Sequence, residues 1–397
     1  AHQHAALADL VRHAADRSPF YREWLGGRTA LDELPVLDKA TLMDNLDGAL
    51  CDPRLRGRDL HAHLLEADPF DGEYRVMASS GSTGTPSLYA YSRTDWTGLL
   101  AQFFRFNELI GVRPSLPRTR IAAVTAPTLA SMTQKMTRTV DIGVNRVLAA
   151  SVSEPLDQLV AKLNAFQPDL LTTFTSIACQ LADEQRAGRL QVAPRVVCTT
   201  SELRTDEMTA RIERAFGVHP FDLYGTSEGV WGVDCEHHEG IHLFEDWFIV
   251  EDAGDRLLVT NLYNRTLPLI RFEISDVVTI ERGTCACGRT LPRMRAVKGR
   301  TAEILTLGGV AVHPTQFSLI TADPGVREFQ VVERADAIAL RLALSDDAAR
   351  DTPERVACAV AERLSSLGVE RPDVIAEVVP AIPRNAAGKL QIVVSER

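Results

Sequence analysis

Lysine is scarce in this chain of 397 residues, which has 43 Lys and Arg residues but only five lysines: Lys39, Lys135, Lys162, Lys298 and Lys389. A lysine within a motif is therefore more informative than usual. Long apolar runs are also lacking. None approaches the roughly 20 residues needed to span a bilayer, and no signal peptide is visible. The net charge of −10 argues against nucleic acid or an anionic membrane as the main partner.

Cysteine is present, but not in the pattern of a disulfide scaffold. The seven cysteines are an odd number and lack the dense spacing of small secreted domains. We therefore expect a cytoplasmic protein whose partners are small molecules. Cys51, Cys179, Cys198 and Cys358 lie in predicted helices or strands, and we expect them to pack in the core.

Strands and helices alternate over the first 240 residues. The pattern predicts, among others, strand 120–124, helix 156–166, strand 170–174, strand 195–200, helix 205–216 and strand 222–224. This alternation is typical of an α/β fold with a largely parallel sheet covered by helices. A helix over 95–109 carries four aromatic residues that we expect in the core: Trp96, Phe103, Phe104 and Phe106.

After about residue 240 the pattern changes to short strands. We predict strands 241–250, 256–262, 269–272 and 277–280, which form a small β-barrel-like part. Later strands, at 304–307, 326–333, 338–343 and 374–379, accompany a helix at 352–367. The sequence thus predicts two domains: a large N-terminal domain of several subdomains, residues 1–299, and a small α+β C-terminal domain, residues 300–397.

A loop rich in Ser, Thr and Gly follows a predicted strand at 74–78. Its sequence is Ser79-Ser80-Gly81-Ser82-Thr83-Gly84-Thr85-Pro86. Glycines let successive backbone N–H groups point into one concavity, and rotatable hydroxyls add donors for an oxyanion. The loop is therefore suited to polyphosphate, although it is not a Walker loop because it contains no lysine. A flexible Ser/Gly turn is the alternative explanation.

Four further stretches carry residues that could complete a nucleotide site. They are Tyr224-Gly225-Thr226-Ser227-Glu228 after a strand, Leu269-Ile270-Arg271-Phe272-Glu273-Ile274-Ser275-Asp276 as a strand that ends in a carboxylate, Lys298-Gly299-Arg300 at the domain boundary, and Pro383-Arg384-Asn385-Ala386-Ala387-Gly388-Lys389 in a turn. A tyrosine ring can stack on a base, a hydroxyl can contact a phosphate, and a carboxylate can bind Mg²⁺. For any one of these residues alone, a surface or capping role is the simpler explanation.

Together with the Ser/Gly loop, these stretches resemble the core motifs of the adenylate-forming superfamily of acyl-CoA synthetases and related ligases. The similarity is greatest to the phenylacetate–CoA ligase-like branch, which has a Ser-Ser-Gly-[Thr/Ser]-Thr-Gly loop and a Tyr-Gly-x-Ser-Glu motif. The segments Gly240-Ile241-His242 and Ser18-Pro19-Phe20-Tyr21 are similar to that branch as well. Each motif alone is a weak indication of the family. Five motifs in the family's order, spanning nearly the whole chain, are a strong one.

The resemblance implies a reaction with two steps. A carboxylate attacks the α-phosphate of ATP to give an acyl-adenylate and pyrophosphate, and a second nucleophile then displaces AMP. The N-terminal domain would be the adenylation domain and the C-terminal domain a mobile lid. The resemblance implies that the loop residues bind the β- and γ-phosphates: Ser80, Gly81, Ser82, Thr83 and Gly84. Tyr224, in the motif with Gly225 and Thr226, would pack on one side of adenine, and Ser201, Glu202 and Leu203 would form the other side. Ser227 would contact the α-phosphate, Glu228 would bind Mg²⁺, Asp276 would bind the ribose with Arg300 nearby, and Lys389 would bridge the carboxylate and the α-phosphate.

Two departures from the family pattern affect what the resemblance implies. The acidic hinge residue usual two places after the Gly-Arg arginine is replaced by Ala302, and Glu303 follows it. That hinge lets the small domain rotate between the two steps. Its replacement therefore affects what the resemblance implies for the second step, and not for the first. The glycine-rich segment of phenylacetate ligases is also absent between 125 and 145, so we do not expect phenylacetate as the acid.

A metal site is predicted from two segments about fifty residues apart. Cys285-Ala286-Cys287-Gly288 is a turn that offers two thiolates to one ion. The earlier segment, Cys235-Glu236-His237-His238-Glu239-Gly240-Ile241-His242, offers one thiolate and one imidazole. The expected site is a closed, structural Cys₃His zinc site formed by Cys235, Cys285, Cys287 and His242, with His238 and His237 as alternative fourth ligands. Reduced cysteines with no ion are the competing explanation.

The resulting hypothesis is an ATP- and Mg²⁺-dependent ligase that adenylates a small aromatic carboxylic acid and transfers it to coenzyme A. Two rivals from natural-product biosynthesis stay open: transfer to a nitrogen nucleophile to give an amide, and activation of nitrite for attack by an arylamine. A catalytically silent nucleotide-binding regulator is the rival from a different class. The retained Lys389, Glu228 and Asp276 argue against it, because a silent domain does not need the catalytic lysine. A homodimer is expected from the resemblance only.

Overall fold

The computed structural model describes residues 2–79, 87–113, 116–140, 143, 145–254, 256–335 and 337–396. Within these residues the α-helices are α1 (His2–Arg17), α2 (Pro19–Leu25), α3 (Lys39–Asp44), α4 (Leu46–Ala49), α5 (Gly57–Ala62), α6 (Arg93–Leu109), α7 (Met132–Val140), α8 (Leu156–Phe166), α9 (Thr175–Arg186), α10 (Asp206–Phe216) and α11 (Thr352–Ser366). Short 3₁₀ segments cover Leu31–Glu33, Thr301–Glu303 and Pro314–Ala322. No helix in the described part of the chain is long and apolar enough to cross a membrane.

The strands of the described residues are short, with between three and eight residues each. They are β1 (Arg75–Ala78), β2 (Leu88–Tyr91), β3 (Arg120–Thr125), β4 (Arg146–Ser151), β5 (Leu170–Phe174), β6 (Val196–Thr200), β7 (Phe221–Gly225), β8 (Trp231–Val233), β9 (Ile241–Leu243), β10 (Phe248–Asp252), β11 (Leu257–Asn261), β12 (Phe272–Ile274), β13 (Asp276–Glu281), β14 (Arg293–Arg300), β15 (Leu305–Leu307), β16 (Val310–Val312), β17 (Val326–Glu333), β18 (Ile338–Leu344), β19 (Val374–Val378) and β20 (Val393–Ser395).

The chain forms two compact units. The first comprises Ala1–Thr119, Ala126–Ala149 and Phe221–Ala296, and the second comprises Arg120–Thr125, Ala150–Pro220 and Val297–Arg397. Each unit therefore combines segments that are distant in the sequence. The domain boundary expected at 299/300 stays a prediction.

The first unit is mainly antiparallel. Strands β7, β8 and β9 pair in that order, and β14 pairs with the other side of β9. Strands β10, β11 and β12 form a second antiparallel sheet. Strands β1 and β2 form a ladder from Arg75–Tyr91 to Ala78–Leu88. Helix α6 begins with a capping box, in which Ser92 and Asp95 satisfy each other's backbone N–H groups.

The second unit contains the parallel sheet that the alternating pattern predicts. Strand β5 pairs in parallel with β3 on one side and β6 on the other. Helices α8 and α9 lie on either side of β5 in the sequence, as expected for βαβ connections. The observed bounds of α8 and β5 are those predicted from the sequence, which confirms the α/β fold class.

The same unit also contains an α+β part at the C-terminal end of the chain. Its four strands have the order β19-β18-β17-β20, with β17 and β18 antiparallel and both outer pairs parallel. Helix α11 buries Val356, Val360 and Leu364 in a core shared with the strand residues Phe329 and Leu340. Strand β20 has only three residues, and it was missed by the sequence pattern.

Several local predictions are wrong. The expected strand 241–250 is two strands, since Glu245 and Asp246 lie in a turn in which the Trp247 N–H bonds to the Phe244 carbonyl at 2.9 Å. The strand expected at 269–272 begins only at its last residue, because Arg271 has a positive φ of 45°. Asp276 therefore begins β13 instead of ending a strand.

Two expected core positions are not in the core. Phe104 is 51% exposed, although Trp96 and Phe106 on the same helix are buried. Their positions on α6 explain the difference, because a helix buries one face and leaves the opposite face in water. Cys358 is also exposed, whereas Cys51, Cys179 and Cys198 are buried as predicted.

Candidate active site

The Tyr224–Glu228 motif lies where β7 ends in a tight turn. The N–H of Thr226 bonds to the Val230 carbonyl and the N–H of Gly229 to the Thr226 carbonyl, both at 3.1 Å. Three side chains outside the turn donate to its successive carbonyl oxygens: Tyr91 to Ser227 at 2.9 Å, Asn261 to Glu228 at 2.7 Å and Tyr263 to Gly229 at 3.0 Å. The backbone of the motif is thus held from three directions, which preorganises its side chains.

Gly229 is required by this packing. Its φ of +87° favours glycine, and a Cβ placed there would lie 2.3 Å from the Tyr263 hydroxyl and 2.6 Å from Asn261 Nδ2. The close approach lets both side chains reach the backbone of the turn. The predicted motif ends at Glu228, one residue before this glycine, so Gly229 was not singled out from the sequence.

Glu228 is oriented by a buried phenol. The Tyr89 hydroxyl donates to Glu228 Oε1 at 2.7 Å. Burial, followed by the charge of Glu228, raises the pKa of Tyr89 well above its ordinary value, so the phenol stays protonated and remains a donor. The hydrogen bond defines the direction of the carboxylate. Tyr89 lies on β2, just after the Ser/Gly loop, and was not singled out from the sequence.

Tyr224 and Asp276 come together although they are 52 residues apart. The Tyr224 hydroxyl donates to Asp276 Oδ2 at 2.6 Å, and Asp276 is 8% exposed. Two of the predicted nucleotide motifs therefore meet at one place in the first unit. Their assignment to adenine and ribose stays a prediction.

The predicted phosphate-binding residues Ser80, Gly81, Ser82, Thr83 and Gly84 lie outside the described residues. The residues on either side of that segment are hydrogen-bonded to each other. The N–H of Ser79 bonds to the Ser87 carbonyl at 3.0 Å, and the N–H of Ser87 bonds to Ser79 Oγ at 3.1 Å. These bonds join the residue that follows β1 to the residue that precedes β2.

The other predicted adenine wall lies in the second unit and makes contacts there that the motif did not predict. Ser201 has a positive φ of 70°, which is uncommon for serine and marks local strain. The Glu202 carboxylate accepts the N–H of Ser176 at 2.8 Å and the N–H of Leu390 at 2.7 Å. Leu203 packs against the C-terminal core. The adenine-wall role of these three residues stays a prediction.

Lys389 lies half-buried in the predicted turn, which the structure places between β19 and the short strand β20. The N–H of Lys389 and the N–H of Ala387 both bond to Asn385 Oδ1 at 3.0 Å, so one asparagine organises the turn. Arg300, also a predicted site residue of this unit, has its N–H 3.4 Å from Glu303 Oε2. Asn385 and Glu303 were not assigned a role from the sequence.

The four predicted zinc ligands converge in the first unit. Their ligand atoms all lie within 4.8 Å of one another, and Cys235, Cys285 and His242 are buried. The Cys235 and Cys285 sulfurs are 3.8 Å apart, and Cys287 Sγ is 3.6 Å from His242 Nε2. A tetrahedral zinc ion with Zn–S near 2.3 Å and Zn–N near 2.0 Å requires separations of about 3.8 Å and 3.6 Å. The residues therefore fit the ion.

The surroundings of this cluster favour His242 over His238 as the imidazole that could bind the ion. His238 is engaged elsewhere, since its Nδ1 lies 2.8 Å from Asp234 Oδ2. Burial, aided by the charges of Arg289 and Arg293, lowers the pKa of His242, so this imidazole is neutral near pH 7 as a metal ligand must be. Burial raises the pKa of the Cys235 thiol above its ordinary value. The cysteine sulfurs are too far apart for a disulfide, whose S–S bond is about 2.05 Å.

Comparisons with known proteins agree with these observations. No protein-family profile matches the chain. It is 26% identical over 365 residues to the phenylacetate-coenzyme A ligase of Thermus thermophilus, and the aligned region covers 84% of this chain and 78% of the relative. It is also 26% identical over 349 residues to the Escherichia coli protein of the same name, with 77% and 72% covered.

Among solved structures, 2-hydroxyisobutyryl-CoA ligase in its postadenylation state is similar with a TM-score of 0.79 and 20% identity, over 100% of this chain and 89% of that one. Amide bond synthetase McbA from Marinactinospora thermotolerans has a TM-score of 0.56 and 18% identity. The fold is that of adenylate-forming ligases, as expected from the sequence. The curated relatives carry the name of the branch that the motifs resemble, phenylacetate-coenzyme A ligase.

Proposed function

We propose that this protein uses ATP to adenylate a small aromatic carboxylic acid and transfers the acyl group to coenzyme A, releasing pyrophosphate and then AMP. The observation that carries the proposal is the preorganised turn at residues 226–229. It carries Glu228, which Tyr89 orients, and it directly follows Tyr224, which bonds to Asp276. The relatives named phenylacetate-coenzyme A ligase support the same reaction.

The first step needs charge stabilisation more than it needs covalent catalysis. The acid's carboxylate attacks the α-phosphorus, the bond to pyrophosphate breaks, and negative charge develops on the transferring phosphoryl group. Glu228 would hold Mg²⁺, which supplies Lewis-acid stabilisation of the phosphates when bound. Lys389 would neutralise charge between the carboxylate and the α-phosphate, and Ser227 would contact the α-phosphate. Asp276 accepts a hydrogen bond from Tyr224 and would also accept bonds from ribose hydroxyls.

The Cys₃His cluster is proposed as a structural zinc site. Its four ligands leave no open coordination position, which is the pattern of structural and not catalytic zinc. The ion would join the segment around Cys235, strand β9 through His242, and the turn with Cys285 and Cys287. Its effect would be on stability, with no part in the chemistry.

A nitrogen nucleophile in the second step is the second candidate. It is favoured by Ala302 at the position where the family usually has the acidic hinge residue, since the second step depends on that hinge. Adenylation would be unchanged in this case, and an amide would replace the thioester. Activation of nitrite is tested in the same experiment.

The test is pyrophosphate release with ATP, Mg²⁺ and a panel of small acids plus nitrite, with and without coenzyme A or an amine. We expect release that depends on an aromatic acid and is followed by consumption of coenzyme A. Release that responds to an amine, or to nitrite with an arylamine, would assign the rival chemistry. No release with any acid would contradict the proposal and favour a silent regulator. The cytoplasmic location and the homodimer stay predictions from the sequence.

A further inference from the structure

The turn that carries Lys389 is closed and anchored at both of its ends. Arg384 and Leu390 form an antiparallel bridge across its base, and Asn385 bonds to the backbone inside it. The two flanking residues then contact other parts of the second unit. A lysine on such a turn can be placed accurately only if the base of the turn is held.

Arg384 holds one side of the base. Its Nη1 donates to Ser176 Oγ at 2.7 Å, and its Nη2 donates to Glu328 Oε1 at 2.6 Å. Gln180, one turn further along α9, donates to the same Glu328 oxygen at 2.8 Å. The side chains of Arg384 and Glu328 are only 18% and 9% exposed. A charged pair with so little water contact is costly to separate, since each charge would be left unpaired.

Glu202 holds the other side. One carboxylate oxygen accepts the N–H of Leu390 at 2.7 Å, directly after Lys389, and the other accepts the N–H of Ser176 at 2.8 Å. Ser176 is in the first turn of α9, where N–H groups lack partners within the helix and the helix dipole favours a negative charge. Arg384 Nη1 lies 3.6 Å from the same carboxylate. Glu202 therefore connects the start of α9 to the base of the Lys389 turn.

We propose that Glu202 is a positioning residue for adenylation: its carboxylate, together with the Arg384–Glu328 pair, holds the Lys389 turn against the first turns of α9. This proposal rests on the proposed function of Lys389. The contacts join residues on both sides of the boundary expected at 299/300, so rotation of the C-terminal part for the second step would have to break them. Glu202 would then favour the first step over the second.

The test uses Glu202→Gln and measures the two half-reactions separately. Glutamine keeps the shape, but its amide nitrogen replaces one oxygen, so only one of the two backbone N–H groups keeps an acceptor. We expect kcat of ATP–pyrophosphate exchange to fall about 10- to 100-fold, with KM for ATP changed less than about threefold. Coenzyme A-dependent consumption of a synthetic acyl-adenylate should be unchanged or faster. A large rise in KM for ATP at unchanged kcat would instead make Glu202 an adenine contact and overturn the proposal.

Two variants distinguish positioning from general damage. Arg384→Lys should lower kcat in the same direction, because one ammonium cannot bond to Ser176 and Glu328 as the planar guanidinium does. In a Lys389→Ala background, Glu202→Gln should change the residual rate less than about twofold, since its effect passes through the missing lysine. Additive losses would show that Glu202 acts elsewhere. Glu362→Gln, on the exposed face of α11, is the matched control.

Amide hydrogen exchange of the substrate-free protein separates this proposal from the proposed function. The amides of residues 384–390 should exchange faster in Glu202→Gln than in the wild type, and those of the control variant should not. Unchanged exchange in an active enzyme overturns the proposal while the function stands. Faster exchange in a protein that releases no pyrophosphate with any acid would leave the contact established and the function wrong.

Discussion

Two carboxylates of the candidate site, Glu228 and Asp276, are each held by a tyrosine hydroxyl. Tyr89 bonds to Glu228 at 2.7 Å and Tyr224 bonds to Asp276 at 2.6 Å. A carboxylate oriented in this way offers its remaining lone pairs in a defined direction, which a metal ion or a ribose requires. At the scale of single residues, the described part of the site therefore contributes two oriented acceptors.

Lys389 is expected to supply a positive charge for adenylation. Lys389→Ala should lower adenylate formation by about 10²- to 10³-fold, because it removes a cation that acts on charge developed in the transition state. Binding of ATP should be largely unaffected. Pyrophosphate exchange measures the first effect and calorimetric titration with ATP the second. An equal loss of binding and turnover would show that Lys389 holds ATP in the ground state. Lys162, which lies on α8 and pairs with Glu154 just before that helix, provides the control substitution to Ala.

At the scale of elements, the motif turn depends on the close packing around Gly229. Gly229→Ala should destabilise the protein by about 2 kcal/mol or more, because it adds a clash with Tyr263 and Asn261 to an unfavourable φ. Adenylation should fall as well, since relief of the clash moves the backbone at Glu228. Urea unfolding and pyrophosphate exchange measure the two effects.

Gly254 offers a matched control. Its φ of +88° is almost the same, but a Cβ there would have no atom within 4 Å. Gly254→Ala should therefore lower the free energy of unfolding by only about 1 kcal/mol, because of the unfavourable φ, and leave activity unchanged. Equal losses in the two variants would show that packing around Gly229 is unimportant.

The Cys₃His cluster links three segments of the first unit, so its metal should act on stability. We expect one equivalent of zinc per chain in the purified protein, lost in the combined Cys285→Ser and Cys287→Ser variant, with a lower thermal midpoint. Elemental analysis and thermal unfolding are the measurements. Cys358→Ser, at an exposed position, should keep the metal. Protein purified without chelator that contains no zinc would end the proposal.

At the scale of the whole molecule, acidification should remove stability that comes from paired carboxylates. The pKa of Asp169 is lowered, first by the side-chain hydrogen bond from Arg120, and the Arg120 N–H also donates to it at 2.8 Å. A carboxyl with a lowered pKa stabilises the fold above its unfolded pKa of about 3.9, and the contribution is lost as the pH falls through the folded value.

Asp169→Asn should therefore lower the free energy of unfolding by about 1–2 kcal/mol near pH 7, and by progressively less below about pH 4. The difference between variant and wild type in urea unfolding at several pH values measures this, and any effect of acid on the zinc ligands cancels in the difference. Asp347→Asn, at an exposed position, is the control. A cost independent of pH would mean that the Asp169 charge contributes nothing.

Much of this protein could be predicted from local pattern. The bounds of α8, β5 and β17 follow from hydrophobic periodicity, and the motifs predicted the superfamily fold and the four side chains that meet in the Cys₃His cluster. These features depend on residues close together in the chain, or on residue types that are chemically distinctive in any order. The sequence by itself therefore determined the fold class and which side chains could take part in the chemistry.

Tertiary structure alone decided how those side chains are held. Tyr89 is 139 residues from Glu228, and Glu202 is 188 residues from Leu390. No periodicity or spacing encodes such pairs, because they arise only when strands and turns from distant segments pack together. The same holds for Gly229, whose need for glycine comes from Tyr263 and Asn261, and for Phe104, whose exposure depends on what covers its helix face. Packing is a property of the whole fold, so its consequences appear only at that level.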